Sequence, residues 1–199
     1  MNTQTPKSPY MDRARAVPKL IGNPDDFLII GGLAGAAKDI GNMTQESPNT
    51  FLLGGAMGGA SMMAMGLAIA QPDKRVLLVT GDGDLLMSLG SLATIGAIQP
   101  SNLAIVCVDN ELYGETGDQR AHTSYGIDLQ TVAEGCGIKT TRIVKTETEM
   151  EEASALLRQS NGPVFVLLKV NGSPPPQYKR NWQASESKTA FRKALLGKR

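Results

Sequence analysis

Uninterrupted apolar segments of strand length constrain the fold of this chain more than any other feature. The strand candidates are DFLII (26–30), RVLLVTG (75–81), NLAIVCVDN (102–110), TTRIV (140–144) and GPVFVLLKV (162–170). The first three and the last are continuous rather than alternating, which is typical of parallel strands covered on both faces. Helical patterns separate them, in 51–70, 84–98, 128–138 and 146–163. We therefore predict an α/β fold: a doubly wound, mostly parallel sheet with helices on both faces.

The chain length of 199 residues fits one domain of this class with tails. Residues 1–20 are mostly polar and contain prolines, which predicts an N-terminal arm that is either mobile or a short helix. The α/β domain is predicted at 21–171. A connector and a C-terminal helix are predicted at 172–199.

Charge and composition exclude several classes of partner. The chain has 20 Lys+Arg and 19 Asp+Glu residues and a formal net charge of +1, so no nucleic-acid partner is expected. The most apolar stretch, 57–70, is interrupted by Gly and Ser and is shorter than the about 20 residues of a membrane span. No signal peptide is expected either. Two cysteines and one histidine argue against a disulfide framework or a zinc site, so we predict a cytoplasmic protein without membrane contact.

Polar residues end two of the predicted strands, in VTGDGD (79–84) and VCVDN (106–110). In open α/β sheets, ligands bind beyond the carboxyl ends of strands, at a topological switch point. Gly81 and Gly83 leave backbone amides uncovered, and the helix that follows adds free N–H groups, which suits a phosphate. A carboxylate in the same turn would repel a bare phosphate, whereas an Mg²⁺ ion between them would attract both.

The two aspartates of this turn have different interpretations. Asp84 precedes an apolar helical pattern and is a natural N-cap, a role that needs no ligand. Asp82 either binds a cation or accepts hydrogen bonds from turn amides, because an unpaired buried carboxylate is costly. Strands 75–81 and 102–110 should lie in one sheet with their carboxyl ends at the same edge. Asn110 is therefore expected to offer its amide oxygen to the same cation as Asp82.

The GDG of 81–83, the 25 residues 84–108 and the DN of 109–110 together resemble the cofactor motif of thiamine-diphosphate-dependent enzymes, in which NN is the commoner ending. The resemblance implies that Asp82, Asn110 and the main-chain carbonyl of Leu112 bind Mg²⁺. It also implies that the turn and the following amides lie along the diphosphate. The residues assigned to cofactor binding here are Gly81, Asp82, Gly83, Asp84, Leu85, Asn110, Leu112, Tyr113 and Gly114.

The segment LGGAMGG (53–59) resembles the part of the family that contacts the aminopyrimidine ring of the cofactor. The resemblance implies that the carbonyl oxygen of Gly55 accepts a hydrogen bond from the 4′-amino group. It also implies that Met57 wedges under the cofactor and forces a bent shape, with the 4′-nitrogen close to thiazolium C2. The methionines that follow, at positions 62, 63 and 65, are interpreted as core residues of a packed helix.

The resemblance covers 20–195 and corresponds to the diphosphate-binding domain alone. In this family the glutamate that contacts N1′ of the cofactor belongs to a separate pyrimidine-binding domain. The resemblance therefore implies a hetero-oligomer, α2β2 or larger, in which a partner subunit supplies this glutamate.

Within the family, 53–119 and 128–138 are similar to the decarboxylases of sulfopyruvate and phosphonopyruvate. This similarity implies a lyase that acts on a small 2-oxo acid with an anionic tail and releases CO2 and an aldehyde. Ala36 and Ala37 stand where those enzymes tend to have hydroxyl residues, so any diphosphate contact there would use the backbone.

Three alternatives remain open at this point. Arg120 and His122 either pair with the substrate anion and assist protonation after CO2 loss, or belong to a polar surface loop. The chain could instead be the β chain of a 2-oxo acid oxidoreductase or of a carboligase, although two cysteines cannot hold a four-cysteine iron–sulfur cluster. A non-catalytic subunit is the third alternative, and the joint presence of Asp82, Asn110 and Met57 argues against it.

Overall fold

Two sheets are present in the computed structural model, which describes residues 9–159 and 161–197. The strands in chain order are β1 (Leu28–Gly31), β2 (Thr50–Leu52), β3 (Val76–Gly81), β4 (Leu103–Asp109), β5 (Leu112–Tyr113), β6 (Gln119–Arg120), β7 (Thr140–Val144) and β8 (Val164–Lys169). β5 and β6 form a separate antiparallel pair. The other strands form one sheet in the order β2-β1-β3-β4-β8-β7, and every neighbouring pair in it is parallel.

Helices cover both faces of the large sheet. In chain order they are α1 (Arg13–Ile21), α2 (Gly35–Thr44), α3 (Ala60–Ala70), α4 (Asp82–Leu86), α5 (Gly90–Ile98), α6 (Leu129–Gly135), α7 (Met150–Gln159) and α8 (Ala184–Leu196). One apolar cluster joins α1, α2 and α7 to one face, and a second joins α3, α5 and α6 to the other. β4 is buried along its whole length because it is covered on both sides. The predicted doubly wound α/β fold is confirmed.

The N-terminal segment departs from its predicted boundary. Residues 13–21 form α1, whose Val17, Leu20 and Ile21 are fully buried in the core. Of the two alternatives for 1–20, the described residues from 13 onward form the short helix, and residues 20 and 21 do not separate an arm from a domain. Residues 1–8 of the predicted arm lie outside the described residues.

Two further elements differ from the sequence-based expectation. β2 was not predicted, because three residues are too few to stand out as an apolar run. The helix predicted at 84–98 is divided into α4 and α5.

At the carboxyl end of the chain, an extended connector leads to α8, which packs on β2 with the Phe51 and Phe191 rings 5.9 Å apart. Within the described residues, no helix has the length and apolar character needed to cross a bilayer.

Gly96 lies inside α5, where this helix meets the turn after α6. A Cβ atom here would lie 1.8 Å from the carbonyl oxygen of Cys136, a backbone atom that cannot rotate away. We expect Gly96→Ala to lower the free energy of unfolding by about 1–3 kcal/mol, although Ala is the better helix former. Gly90→Ala is the control, because no atom lies within 4 Å of a Cβ at this position of the same helix. Urea unfolding would contradict the prediction if the two variants were equally stable.

Candidate active site

A cavity of about 670 Å³ lies at the carboxyl ends of β1, β3 and β4. The strand order reverses here, since the chain passes from β1 to β2 on one side and from β3 to β4 on the other. Most of the predicted site residues line this cavity: Met57, Gly81, Asp82, Gly83, Asp84, Asn110, Leu112, Tyr113 and Gly114. Gly55, Leu85 and His122 are not part of the lining.

Two buried carboxylates lie next to each other at the base of the site. The register of β3 and β4 pairs Gly81 with Val108, which brings Asp82 beside Asp109. The Thr123 hydroxyl lies 3.0 Å from Asp82 Oδ2 and 2.9 Å from Asp109 Oδ1, but its single proton can serve only one of them at a time. Burial raises the pKa of Asp82 to about 7, and the charge of Asp109 adds to this shift. A divalent cation would offset both effects.

Lys169 balances the charge of Asp109 from the end of β8. Its Nζ donates to Asp109 Oδ2 at 2.8 Å and to Glu111 Oε1 at 2.6 Å. Burial by itself lowers the pKa of Lys169, but the two carboxylates outweigh it and the net shift is upward, so the ammonium group is charged at neutral pH. The ion pairs of the site therefore neutralise Asp109 and leave Asp82 without a cationic partner in the described structure.

The loop after β4 contributes neutral oxygen atoms to the cavity. Asn110 Oδ1 accepts a hydrogen bond from the Leu112 amide at 3.3 Å and keeps a second lone pair. Together with Asp82, the Asn110 amide and the Leu112 carbonyl are the hard oxygen donors that Mg²⁺ prefers. No group of three or more His, Cys, Asp or Glu side chains that could hold a metal occurs in the described chain. The three oxygen donors of Asp82, Asn110 and Leu112 do not fill an octahedral shell. They therefore fit an ion whose remaining ligands come from a bound phosphate.

Asp84 does not cap a helix, which corrects its predicted N-cap role. α4 begins at Asp82, so Asp84 lies within its first turn, and Gly81 is the N-cap residue. The Asp84 carboxylate instead accepts three hydrogen bonds, from the Gly58 amide at 2.6 Å, the Thr80 hydroxyl at 2.7 Å and the Leu33 amide at 3.1 Å. It thereby joins the segments that follow β1 and β2 to the end of β3.

The segment before α3 is held at the edge of the cavity. Met57 lines the cavity with 41% of its surface exposed, next to the Gly58 amide that Asp84 binds. Gly55 has a φ of +75° and lies outside the lining, so its proposed carbonyl contact stays a prediction. The core interpretation holds for Met65 and is wrong for the methionines at 62 and 63, which are 40% and 38% exposed.

Tyr113 packs directly on the glycine turn. A Cβ on Gly83 would lie 2.5 Å from Cε1 of the Tyr113 ring, so the absence of a side chain at 83 lets the ring cover the turn. The Tyr113 hydroxyl lies 3.0 Å from Nδ1 of His122. His122 is exposed and reaches the site through this contact with Tyr113, while the Leu85 side chain of α4 is buried in the core. Their predicted roles remain predictions.

The segment 114–126 reaches the cavity through its first part, which includes Asp118, but not through Arg120. Arg120 is exposed, donates to the Ser124 carbonyl at 2.8 Å and lies over the Tyr125 ring at 4.3 Å. It is not part of the lining, so the structure does not bring it to a substrate anion. Glu115 does line the cavity, and it is paired with Lys38 at 3.0 Å.

Several residues of the site were missed from the sequence. Arg13 lines the cavity and is buried in an ion pair with Asp39 of α2 at 2.6 Å. The connector forms another wall, through residues between Gly172 and Tyr178. Lys169 had a visible signal, because it is the one charged residue in the apolar run 162–170. Nothing in the sequence pairs Arg13 with Asp39, since 25 residues separate them.

Comparison with known proteins agrees with this geometry. Residues 31–168 match the family model "Thiamine pyrophosphate enzyme, C-terminal TPP binding domain". The chain belongs to this family. The match spans the chain from β1 to β8 and therefore includes both strand ends of the cavity.

Curated relatives add a closer similarity. The chain is 34% identical over 158 residues to the sulfopyruvate decarboxylase subunit beta of Methanocaldococcus jannaschii. The matched segment covers 79% of this chain and 83% of that protein. It is 31% identical over 159 residues to the phosphonopyruvate decarboxylase of Streptomyces viridochromogenes, covering 79% of this chain and 39% of that protein.

A solved structure supports the fold. Benzoylformate decarboxylase from Polynucleobacter necessarius superposes with a TM-score of 0.70 at 16% identity, over 82% of this chain. The chain spans about a third of the length of that protein, since the match covers 34% of it.

Proposed function

We propose that this chain is the diphosphate-domain subunit of a thiamine-diphosphate- and Mg²⁺-dependent decarboxylase in the cytoplasm. The observation that carries the proposal is the cavity at the switch point, where Asp82, Asn110 and Leu112 provide hard oxygen donors beside a glycine turn. Family membership supports the cofactor, and the similarity to decarboxylases of sulfopyruvate and phosphonopyruvate supports the reaction. The substrate is a small 2-oxo acid with an anionic tail, which loses CO2 and leaves as an aldehyde.

In this proposal, Asp82, Asn110 and the carbonyl of Leu112 hold Mg²⁺, and the turn of Gly81 and Gly83 carries the diphosphate. The free amides at the start of α4 donate to phosphate oxygens. Thiamine diphosphate, when bound, supplies the nucleophilic carbon and the electron sink for loss of CO2.

The residues of this chain would hold the cofactor site in place and shield it from water. Asp84 fixes the Met57 segment relative to the end of β3 through its three hydrogen bonds, which keeps the methionine at the cavity edge. Tyr113 and the connector close two sides of the cavity and limit access of water. Arg13 and Lys38, the basic residues of the lining, are paired with Asp39 and Glu115, so the positive charge that attracts an anionic ligand would come from the bound cation.

A partner subunit completes the site by supplying the carboxylate at N1′ of the cofactor. The relative from Methanocaldococcus jannaschii is named as a subunit, which supports a hetero-oligomer for this chain as well. We expect the isolated chain to be inactive and the assembled complex to be active.

The proposal is tested by producing the chain with its pyrimidine-domain subunit and measuring CO2 and aldehyde from a panel of 2-oxo acids. We expect equal amounts of both products from sulfopyruvate or phosphonopyruvate, at a kcat/KM at least about tenfold above that for pyruvate, which lacks the anionic tail. Activity should disappear with a metal chelator and return with Mg²⁺. Coenzyme A-dependent reduction of a viologen dye, without aldehyde, would instead support an oxidoreductase.

A further inference from the structure

The Thr123 hydroxyl contacts both buried carboxylates of the site, and the proposed function gives it no role. It lies 3.0 Å from Asp82 Oδ2 and 2.9 Å from Asp109 Oδ1. Thr123 is only 6% exposed, and the two aspartates are almost fully buried. Because these atoms are out of contact with bulk water, the direction of the hydroxyl proton decides which carboxylate gains a hydrogen bond.

The contacts of Thr123 are not those of a residue that only stabilises its own turn. Serine and threonine in turns usually bond to nearby backbone groups. Ser124 does so, since its hydroxyl donates to the Ala121 carbonyl at 2.7 Å. Thr123 lies in the same short 3-10 helix, His122–Tyr125, yet its hydroxyl reaches carboxylates that are 41 and 14 residues earlier in the chain. Its side chain thus connects this segment to the ends of β3 and β4.

The carboxylate of Asp109 has a donor at each oxygen without Thr123. The Glu111 amide donates to Oδ1 at 3.0 Å, and Lys169 Nζ donates to Oδ2 at 2.8 Å. Asp82, in contrast, belongs to no ion pair in the described part of the chain. The proton of the Thr123 hydroxyl therefore stabilises Asp82 more than Asp109.

We infer that Thr123 is a positioning residue for the proposed Mg²⁺ site: its hydroxyl donates to Asp82 Oδ2 and leaves the other carboxylate oxygen for the ion. The inference rests on the proposed function, in which Asp82 binds this ion. Thr123 does not line the cavity and acts on the site through Asp82. Hydrogen bonds from such outer residues orient a metal ligand and support tight metal binding. Asp109 cannot take this role, because an ionised carboxylate has no proton to donate.

Thr123→Val is the test variant, and Thr123→Ser and Ser124→Ala are its controls. Valine keeps the branched shape of threonine without the hydroxyl, whereas serine keeps the hydroxyl. Ser124→Ala removes a hydroxyl from the same short helix, one that bonds to Ala121 and Arg120. Each variant is assembled with the pyrimidine-domain subunit, and Mg²⁺ is titrated calorimetrically into the metal-free complex in excess thiamine diphosphate.

We expect Thr123→Val to weaken Mg²⁺ binding by about 10- to 100-fold, because Asp82 loses the donor that orients it. Thr123→Ser and Ser124→Ala should bind Mg²⁺ like the wild type. If Thr123→Val does not assemble, Thr123→Ala replaces it in the same comparisons.

Asp109→Asn gives a second test in the same complex. Residue 109 is within hydrogen-bond reach of Asp82, and an amide, unlike a carboxylate, can donate. We expect Thr123→Val to weaken Mg²⁺ binding by less than about threefold in the Asp109→Asn background, so that the two changes form a non-additive double-mutant cycle. Equal losses in the two backgrounds would overturn the inference, because the hydroxyl would then not be the donor that Asp82 needs.

Unchanged Mg²⁺ affinity of Thr123→Val would also overturn the inference. An equal loss in Thr123→Ser would do the same, since packing rather than the hydroxyl would then be responsible. The proposed function fails separately: a complex that shows the expected order of Mg²⁺ affinities but releases no CO2 from any 2-oxo acid would support the positioning role and contradict the decarboxylase.

Discussion

Asp82→Asn should weaken Mg²⁺-dependent binding of thiamine diphosphate to the assembled complex by at least about 100-fold, or about 2.8 kcal/mol. The substitution keeps the size of the side chain and removes the one charged ligand of the proposed set. The buried carboxylate has no cationic partner in the described chain, so the ion is its main source of compensation. Calorimetric titration of cofactor at fixed Mg²⁺ measures the change, and unchanged affinity would contradict the metal assignment.

The same variant should not destabilise the free chain, which separates a binding role from a folding role. In chelator, the folded chain holds the pKa of Asp82 at about 7, above its ordinary 3.8, through burial and the charge of Asp109. Between these values the folded state binds more protons than the unfolded state, so this group lowers the free energy of unfolding as pH rises from about 4 to about 7. The penalty at pH 8 is on the order of 4 kcal/mol.

We therefore expect Asp82→Asn to be more stable than the wild type at pH 8 in chelator and about equally stable at pH 4. Urea unfolding at the two pH values gives the comparison. Lower stability of the variant at pH 8, together with weaker cofactor binding, would mean that Asp82 mainly supports the fold.

The sheet was predictable because strands that are buried on both faces appear in the sequence as continuous apolar runs. β3, β4 and β8 are fully apolar along their lengths, apart from their carboxyl ends, and their predicted bounds are within two residues of the observed ones. β2 has no such apolar run, since it is an edge strand of three residues. α1 was hard to assign because its pattern is short and contains Pro18, yet five of its residues are buried.

The position of the site was predictable from topology, whereas its internal contacts were not. Parallel strands put the polar ends of β3 and β4 at one edge, so Asp82 and Asn110 line the same cavity. The contacts of Asp84 depend on how the segments after β1 and β2 fold back, which no local pattern specifies. Its N-cap interpretation followed the local sequence, and the tertiary contacts at Leu33 and Gly58 took precedence.

The exposed methionines of α3 show a limit of a different kind. The composition of 57–70 indicates a buried helix, and the interpretation of Met62 and Met63 as core residues followed from it. In the isolated chain these side chains are exposed. Apolar residues that are to be covered by another chain have the same sequence signal as residues of the chain's own core, so the sequence alone cannot separate the two.

Lys169→Met should lower the free energy of unfolding by about 3–5 kcal/mol. The ammonium group is 2.8 Å from Asp109 Oδ2, and residues 109 and 169 are 1% and 7% exposed. Methionine keeps most of the buried chain length but removes the charge, which leaves two neighbouring buried carboxylates, Asp109 and Asp82, without a cation from the protein. Urea unfolding in chelator measures the loss, and a change below about 1 kcal/mol, as at exposed pairs, would contradict it.

The double variant Lys169→Met/Asp109→Asn identifies the cause of that loss. It removes both charges of the buried pair, so no unpaired ion remains beside Asp82, and we expect most of the lost stability to return. Glu111, the other partner of Lys169, has a side chain that is 35% exposed and can turn to water. If the double variant were as unstable as Lys169→Met, the loss would come from packing of the lysine chain rather than from its charge. Lys19→Met, which breaks an exposed pair with Glu147, is the control and should leave stability unchanged.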